Sequence, residues 1–230
     1  MDQRVIKHLE NVVYWARSGI DDTKRPVVAF TKSHAITYRH GQVNSKYLIN
    51  DTVTLINIVN ANIEIKTTVV FISERNDYVV FHTINEEFPS FPINFEIIHR
   101  GQDYRTLGLD SGNLVWNGGV ISSVGAGFFY GTSHCKKGDS GSAVFDLTGK
   151  VLGIIVGKIS LKLSNTNIRK GIVDFSVQTP KINFTEISDH YNKSCIIPIH
   201  IVLSNLDITE DSLYEHGEKK PRIEDEGHKS

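Results

Sequence analysis

The chain has 230 residues, of which 25 are Lys or Arg and 26 are Asp or Glu, for a formal net charge of −1 at pH 7. That balance excludes the one-sided charge by which a protein binds nucleic acid or an anionic membrane surface. No apolar run approaches the ~20 residues of a membrane span. The 40 % hydrophobic content is ample for a packed core, and the length suits one large domain or two small ones.

Only Cys135 and Cys195 carry thiols. So few cysteines fit a reducing compartment better than a disulfide-stapled secreted protein. The opening Met1-Asp2-Gln3-Arg4-Val5 has no apolar signal core. The expected location is therefore cytoplasmic or otherwise intracellular, and the sequons at Asn183 and Asn192 read as chance matches.

In chain order, Val5, Ile6, Leu9, Val12, Val13 and Ala16 recur at spacings of three and four. This predicts a helix over 2–17 with Gly19 as its stop, within an N-terminal unit 1–20. From Pro26 the pattern changes to short β-branched runs at 27–30, 35–38, 47–49, 53–59, 63–72 and 78–81. Further runs follow at 95–98, 114–116, 120–124, 128–130, 143–145, 151–156 and 171–177. Many short strands with regular turn signals predict an all-β sandwich or barrel over 21–181, and the Pro-containing stretch 86–92 divides it into two halves. A mixed segment 182–206 reads as a C-terminal extension. From Asp207 onward 12 of 24 residues are charged, which predicts a disordered tail over 207–230.

The chemistry is announced by Gly138-Asp139-Ser140-Gly141-Ser142, which leads into the apolar run Ala143-Val144-Phe145. A serine hydroxyl is a poor nucleophile alone and needs a base, an acid to orient that base, and donors for the oxyanion. Gly138 has no side chain to block its N–H, which with the N–H of Ser140 would form a two-donor oxyanion hole. The same residues also make ordinary β-turn chemistry. Upstream, Ala35-Ile36-Thr37-Tyr38-Arg39-His40 is a strand that ends in a histidine, and Asp77 opens the apolar run Tyr78-Val79-Val80-Phe81.

On these three segments, spaced by 37 and 63 residues, the chain resembles the chymotrypsin-like, trypsin-fold serine proteases. The resemblance covers roughly 26–178 and implies two six-stranded antiparallel β-barrels, the first about 26–88 and the second about 93–178. It implies a serine endopeptidase acting on a polypeptide substrate, with His40 as general base, Asp77 as its orienting acid and Ser140 as nucleophile. It calls for no cofactor and no metal. His34 is the rival for the base, and Glu74 and Asp51 are the rivals for the acid. Gly149-Lys150-Val151-Leu152-Gly153-Ile154-Ile155 is similar to the strand lining the family's primary pocket, and Lys170-Gly171-Ile172-Val173 to the segment closing it. The pocket residues implied are His134 at its base, Ile155, Gly157 and Lys158.

The departures also inform. Ser142 stands where digestive trypsins have glycine, the family's disulfides are missing, and both cysteines read as free thiols. No activation site is visible, so Asp139 is not expected to pair with a freed α-amino group. His134, six residues before Ser140, argues against a Lys or Arg preference. With Lys136, Lys137 and Lys158 it favours Glu, Asp or Gln at the cleaved position. Ile155 stands where viral relatives that prefer Gln or Glu place a histidine. The alternative to a working enzyme is an inactive trypsin-fold module that binds or regulates.

Overall fold

A computed structural model describes residues 1–17, 24–41, 43–125, 127–133, 135–136, 138–160 and 192–208. Helix α1 (Gln3–Glu10) starts at Asp2, whose carboxylate accepts from the Arg4 N–H at 2.7 Å. It stops at Asn11, whose N–H turns back to the His8 carbonyl. Val13–Ala16 is then a strand, β1, rather than the last turn of the expected 2–17 helix. Val13 and Tyr14 are wholly buried there. β-branched and aromatic residues fit a pleated, paired surface better than a helix, so tertiary pairing outweighs the helical spacing.

The first barrel comprises β1, β2 (Pro26–Ala29), β3 (His34–Tyr38), β4 (Thr52–Asn57), β5 (Glu64–Ser73) and β6 (Tyr78–Thr83). It closes in the order β1-β2-β3-β6-β5-β4. The run at 47–49 is not a strand. It follows a short 3-10 helix, Asn44–Lys46, and turns into β4. Phe95 makes only an isolated bridge to Val151.

The second barrel comprises β7 (Asp103–Asp110), β8 (Asn113–Gly125), β9 (Phe128–Gly131), β10 (Ala143–Phe145), β11 (Val151–Ser160) and β12 (Asn192–Pro198). It closes in the order β10-β11-β12-β9-β8-β7. All pairings in both barrels are antiparallel. The closing strand β12 lies in the segment expected as a C-terminal extension, because its burial comes from pairing with β9 and β11 across long sequence gaps. The expected strand 171–177 and the charged tail beyond Ile208 lie outside the described residues.

The interior of the second barrel is Ile98, Tyr104, Ile121, Cys135, Val144, Leu152, Ile155 and Ile196. A larger cluster runs through the first barrel and across to the second, joining Leu9, Tyr14, Val28, Ile36 and Val80 to Phe145, Ile197 and Val202. Helix α2 (Ile199–Asn205) follows β12 and buries Ile199, Val202 and Leu203 in it. Both cysteines are free and buried.

Tyr104 is 1 % exposed, and its hydroxyl donates to Ser133 Oγ at 2.7 Å while accepting from the Ser133 N–H at 2.9 Å. Its ring fills the space a Cβ would need at Gly131, where Tyr104 Oη would sit only 2.0 Å away. A core ring held at both ends does not yield easily. Gly131→Ala is expected to destabilise the fold by about 1–3 kcal/mol, read as a lower midpoint of urea unfolding with an unchanged slope.

Candidate active site

The end of β3 delivers His40 beside Asp77, the residue that opens β6. Asp77 sits at φ 58°, the left-handed region that Asp tolerates better than most residues. That turn aims its carboxylate back at the neighbouring chain end. Asp77 Oδ1 accepts from the His40 backbone N–H at 2.8 Å, and Oδ2 lies 2.5 Å from His40 Nδ1. The Asp77 carbonyl accepts from the Arg39 N–H at 2.9 Å. Asp77 is 5 % exposed, while the His40 side chain keeps 23 %. The Tyr38 ring packs on the imidazole at 4.5 Å between centroids.

The far nitrogen of that imidazole meets the second barrel. Ser140 Oγ lies 3.3 Å from His40 Nε2, across 100 residues of sequence. Ser140 rides on a loop braced from within. The Asp139 carboxylate accepts from the Lys136 N–H at 2.7 Å, the Asp139 N–H donates to the Lys136 carbonyl, and the Ser142 N–H donates to the Asp139 carbonyl. The Gly141 N–H donates to the Ile155 carbonyl at 2.7 Å, which ties the loop to β11. Three of the five N–H groups over 138–142 are thus engaged. Among the described residues, those of Gly138 and Ser140 have no hydrogen-bond partner. Gly138 has φ 105°, and nothing lies within 4 Å of where its Cβ would be.

The rivals lie elsewhere. His34 starts β3, at the opposite end of the strand from His40, where its Nδ1 is 3.0 Å from Thr31 Oγ1 and 3.2 Å from Ser33 Oγ. Asp51 accepts from the Leu48 N–H, and Glu74 pairs with Arg39 at 3.1 Å, its side chain 76 % exposed.

Of the expected pocket residues, Ile155 is buried in the second barrel and its carbonyl accepts from the Gly141 N–H of the Ser140 loop. The Gly157 carbonyl accepts from Cys135 Sγ at 3.8 Å. Lys158 is buried. His134, Lys137 and 170–173 lie outside the described residues. Burial pushes both thiols up to about 12; Asp139 adds to the rise at Cys135, which Lys158 opposes, and Asp77 adds to it at Cys195. Both are poor nucleophiles in consequence. Sequence reasoning missed the buried Tyr104, Ser133 and Ser194 hydroxyl network. Only the β-branched run around 195–197 marked that strand. Among the described residues, no group of three or more His, Cys, Asp or Glu could hold a metal ion, and no helix is long and apolar enough to cross a membrane.

Residues 20–154 match the family model of the trypsin-like peptidase domain, and the chain belongs to that family. No curated protein sequence matches it. Solved structures similar to it include an inactive serine-to-alanine mutant of Rv3671c from M. tuberculosis H37Rv, at 18 % identity over 90 % of each chain with a TM-score of 0.59. The MamO protease domain from Magnetospirillum magneticum is 12 % identical over 87 % of this chain and 98 % of its own, with a TM-score of 0.61. The serine endoprotease from Yersinia pestis is 16 % identical over 89 % of this chain and 64 % of its own, also at 0.61. At these identities the likeness is one of fold.

His34 supplies a test of stability separate from the site. Burial, helped by the facing His82, holds its imidazole down from 6.5 to about 4. Between those values the unfolded chain binds a proton that the folded chain refuses. The stability is therefore full above about pH 6.5 and falls as pH drops toward 4, by roughly 3 kcal/mol in total. Urea midpoints compared at pH 7 and pH 4.5 should fall less in His34→Gln than in the parent.

Proposed function

We propose that the chain is a serine endopeptidase in which Ser140 is the nucleophile, His40 the general base and Asp77 its orienting acid, with the N–H groups of Gly138 and Ser140 as the oxyanion hole. The observation that carries this reading is a continuous proton path. Ser140 Oγ stands 3.3 Å from one imidazole nitrogen, and a buried carboxylate stands 2.5 Å from the other.

The chemistry follows from that order. Asp77 accepts a hydrogen bond from Nδ1–H and so keeps that proton on Nδ1, which leaves Nε2 as the lone-pair nitrogen facing the hydroxyl. As Ser140 Oγ bonds to the substrate carbonyl carbon, its proton passes to His40 Nε2. The resulting imidazolium is stabilised by the Asp77 carboxylate. Charge gathers on the former carbonyl oxygen, where the two unengaged N–H groups can receive it. Collapse breaks the C–N bond, and His40 returns the proton to the leaving amine. Water then repeats the sequence on the acyl-enzyme and frees Ser140.

A fluorophosphonate probe should label the parent chain and not Ser140→Ala. His40→Ala and Asp77→Asn should each lower peptidase kcat/KM by about 10⁴-fold, the latter by favouring the wrong tautomer. His34→Ala should change it little. A folded parent chain that takes no label and cleaves no peptide would instead be an inactive binding module.

A further inference from the structure

β11 carries an irregularity with a chemical consequence. Its register against β12 runs Ile154↔Ile197 and Ile155↔Ile196, then jumps to Gly157↔Cys195 and Lys158↔Ser194. Val156 is the extra residue of a β-bulge. Directly opposed residues share a face of the sheet, and Ile155 and Ile196 both lie inside the second barrel. Ser194, two residues before Ile196, faces the same way. Lys158, opposite Ser194, is therefore turned into the barrel mouth. Without the bulge, a residue three positions after Ile155 would face outward.

The lysine is 8 % exposed there. Hydroxyl, thiol and carbonyl groups lie beside it, and the Asp139 carboxylate acts on the same Cys135 thiol that it does. Ser194 Oγ is 2.6 Å from Ser133 Oγ, the Tyr104 hydroxyl is 2.7 Å from the same Ser133 oxygen, and Cys135 Sγ reaches the Gly157 carbonyl. None of the ion pairs among the described residues includes Lys158. By contrast, Lys136 is spent on Asp110 at 2.5 Å, with 45 % of its side chain exposed. A buried ammonium without a carboxylate is costly, and an anion that joins it relieves that cost.

This mouth adjoins the nucleophile. Cys135 and Lys136 run into the loop that holds Ser140, and the Ile155 carbonyl is bonded to the Gly141 N–H. A strand rise of ~3.3 Å places Lys158 about 10 Å along β11 from that bond. The lysine stem and an acidic side chain can span that distance between them.

Resting on the endopeptidase reading, we propose that Lys158 determines the specificity of this site by pairing with the side-chain carboxylate of a Glu or Asp on the acyl side of the scissile bond. Lys and Arg are rejected there by like charge, and neutral residues leave the ammonium unpaired.

The test is a set of peptides differing only at that position, Glu against Gln and Asp against Asn, with Arg and Leu for comparison. It uses the full chain, with fluorophosphonate labelling alongside. The carboxylate peptides should exceed their amide counterparts in kcat/KM by on the order of 10- to 100-fold, with Arg the poorest. Lys158→Met should bring that ratio near one while the probe still labels, and Lys158→Glu should shift the preference toward Arg. Lys158→Gln serves as a second neutral variant should the first not fold, and the parent ratios need no variant. A labelled parent with no preference for carboxylate over amide overturns the proposal and leaves the endopeptidase reading intact. A preference that survives in the neutral variants overturns the assignment to Lys158. A folded parent that takes no label overturns the endopeptidase reading itself, and this proposal with it.

Discussion

Gly141 has room for a hydrogen and nothing larger. A Cβ there would lie 2.4 Å from the Pro26 carbonyl oxygen and 3.0 Å from Thr37 Oγ1, and the residue already sits at φ 91°. Both constraints come from its place in the seam between the barrels. Pro26 and Thr37 belong to β2 and β3 of the first, and Gly141 to the serine loop of the second. Thr37 Oγ1 donates to that same Pro26 carbonyl at 2.8 Å, which stiffens the surface the loop must meet. Since His40 lies three residues beyond Thr37 and Ser140 is the neighbour of Gly141, the 3.3 Å contact between His40 Nε2 and Ser140 Oγ depends on this close approach. Neither barrel holds the site alone.

The chain ends hold the barrels together by crossing over. Helix α1 leads into β1 of the first barrel, yet it packs on the second. Glu10 accepts from the Trp116 indole N–H at 3.1 Å, and Val5 closes over Gly149 in the β10–β11 turn. Helix α2 leaves β12 of the second barrel, yet Asn205 Nδ2 donates to the Tyr78 hydroxyl of the first at 2.6 Å. Tyr78 is the residue after Asp77. The same helix also buries three aliphatic side chains in the shared core, each contributing roughly 1.5–3 kcal/mol. Asp77 is thus backed from the opposite barrel by α2 through Tyr78.

What was legible in the sequence was chemistry carried by local order. A strand ending in His40, an aspartate opening a strand at 77 and a glycine-flanked Ser140 are each defined within a few residues. The all-β character was legible too, since short β-branched runs mark strands wherever they pair, and the family resemblance implied that they form two barrels. Less legible was anything set by a distant partner. Val13-Tyr14-Trp15 continues a helical spacing, and only β2 and β4 make it a strand. Asn117-Gly118-Gly119 reads as a break between two strands, whereas β8 runs through it unbroken. Gly119 is there because Tyr104 Oη occupies the space its Cβ would need, at 2.6 Å. A glycine that clears room for a ring has the same letter as a glycine that makes a turn.

The bulge at Val156 belongs to the same kind of information and bears most on chemistry. Alternation along Ile154-Ile155-Val156-Gly157-Lys158 assigns Lys158 to the face opposite Ile155. One residue inserted against β12 reverses that assignment and moves a positive charge from the outside of the barrel to its mouth. On the other side of that mouth the Asp139 carboxylate accepts from the Lys136 N–H and braces the loop that carries Ser140. The bulged strand and the Ser140 loop thus meet at one mouth, and none of the ion pairs among the described residues joins Lys158 to a carboxylate.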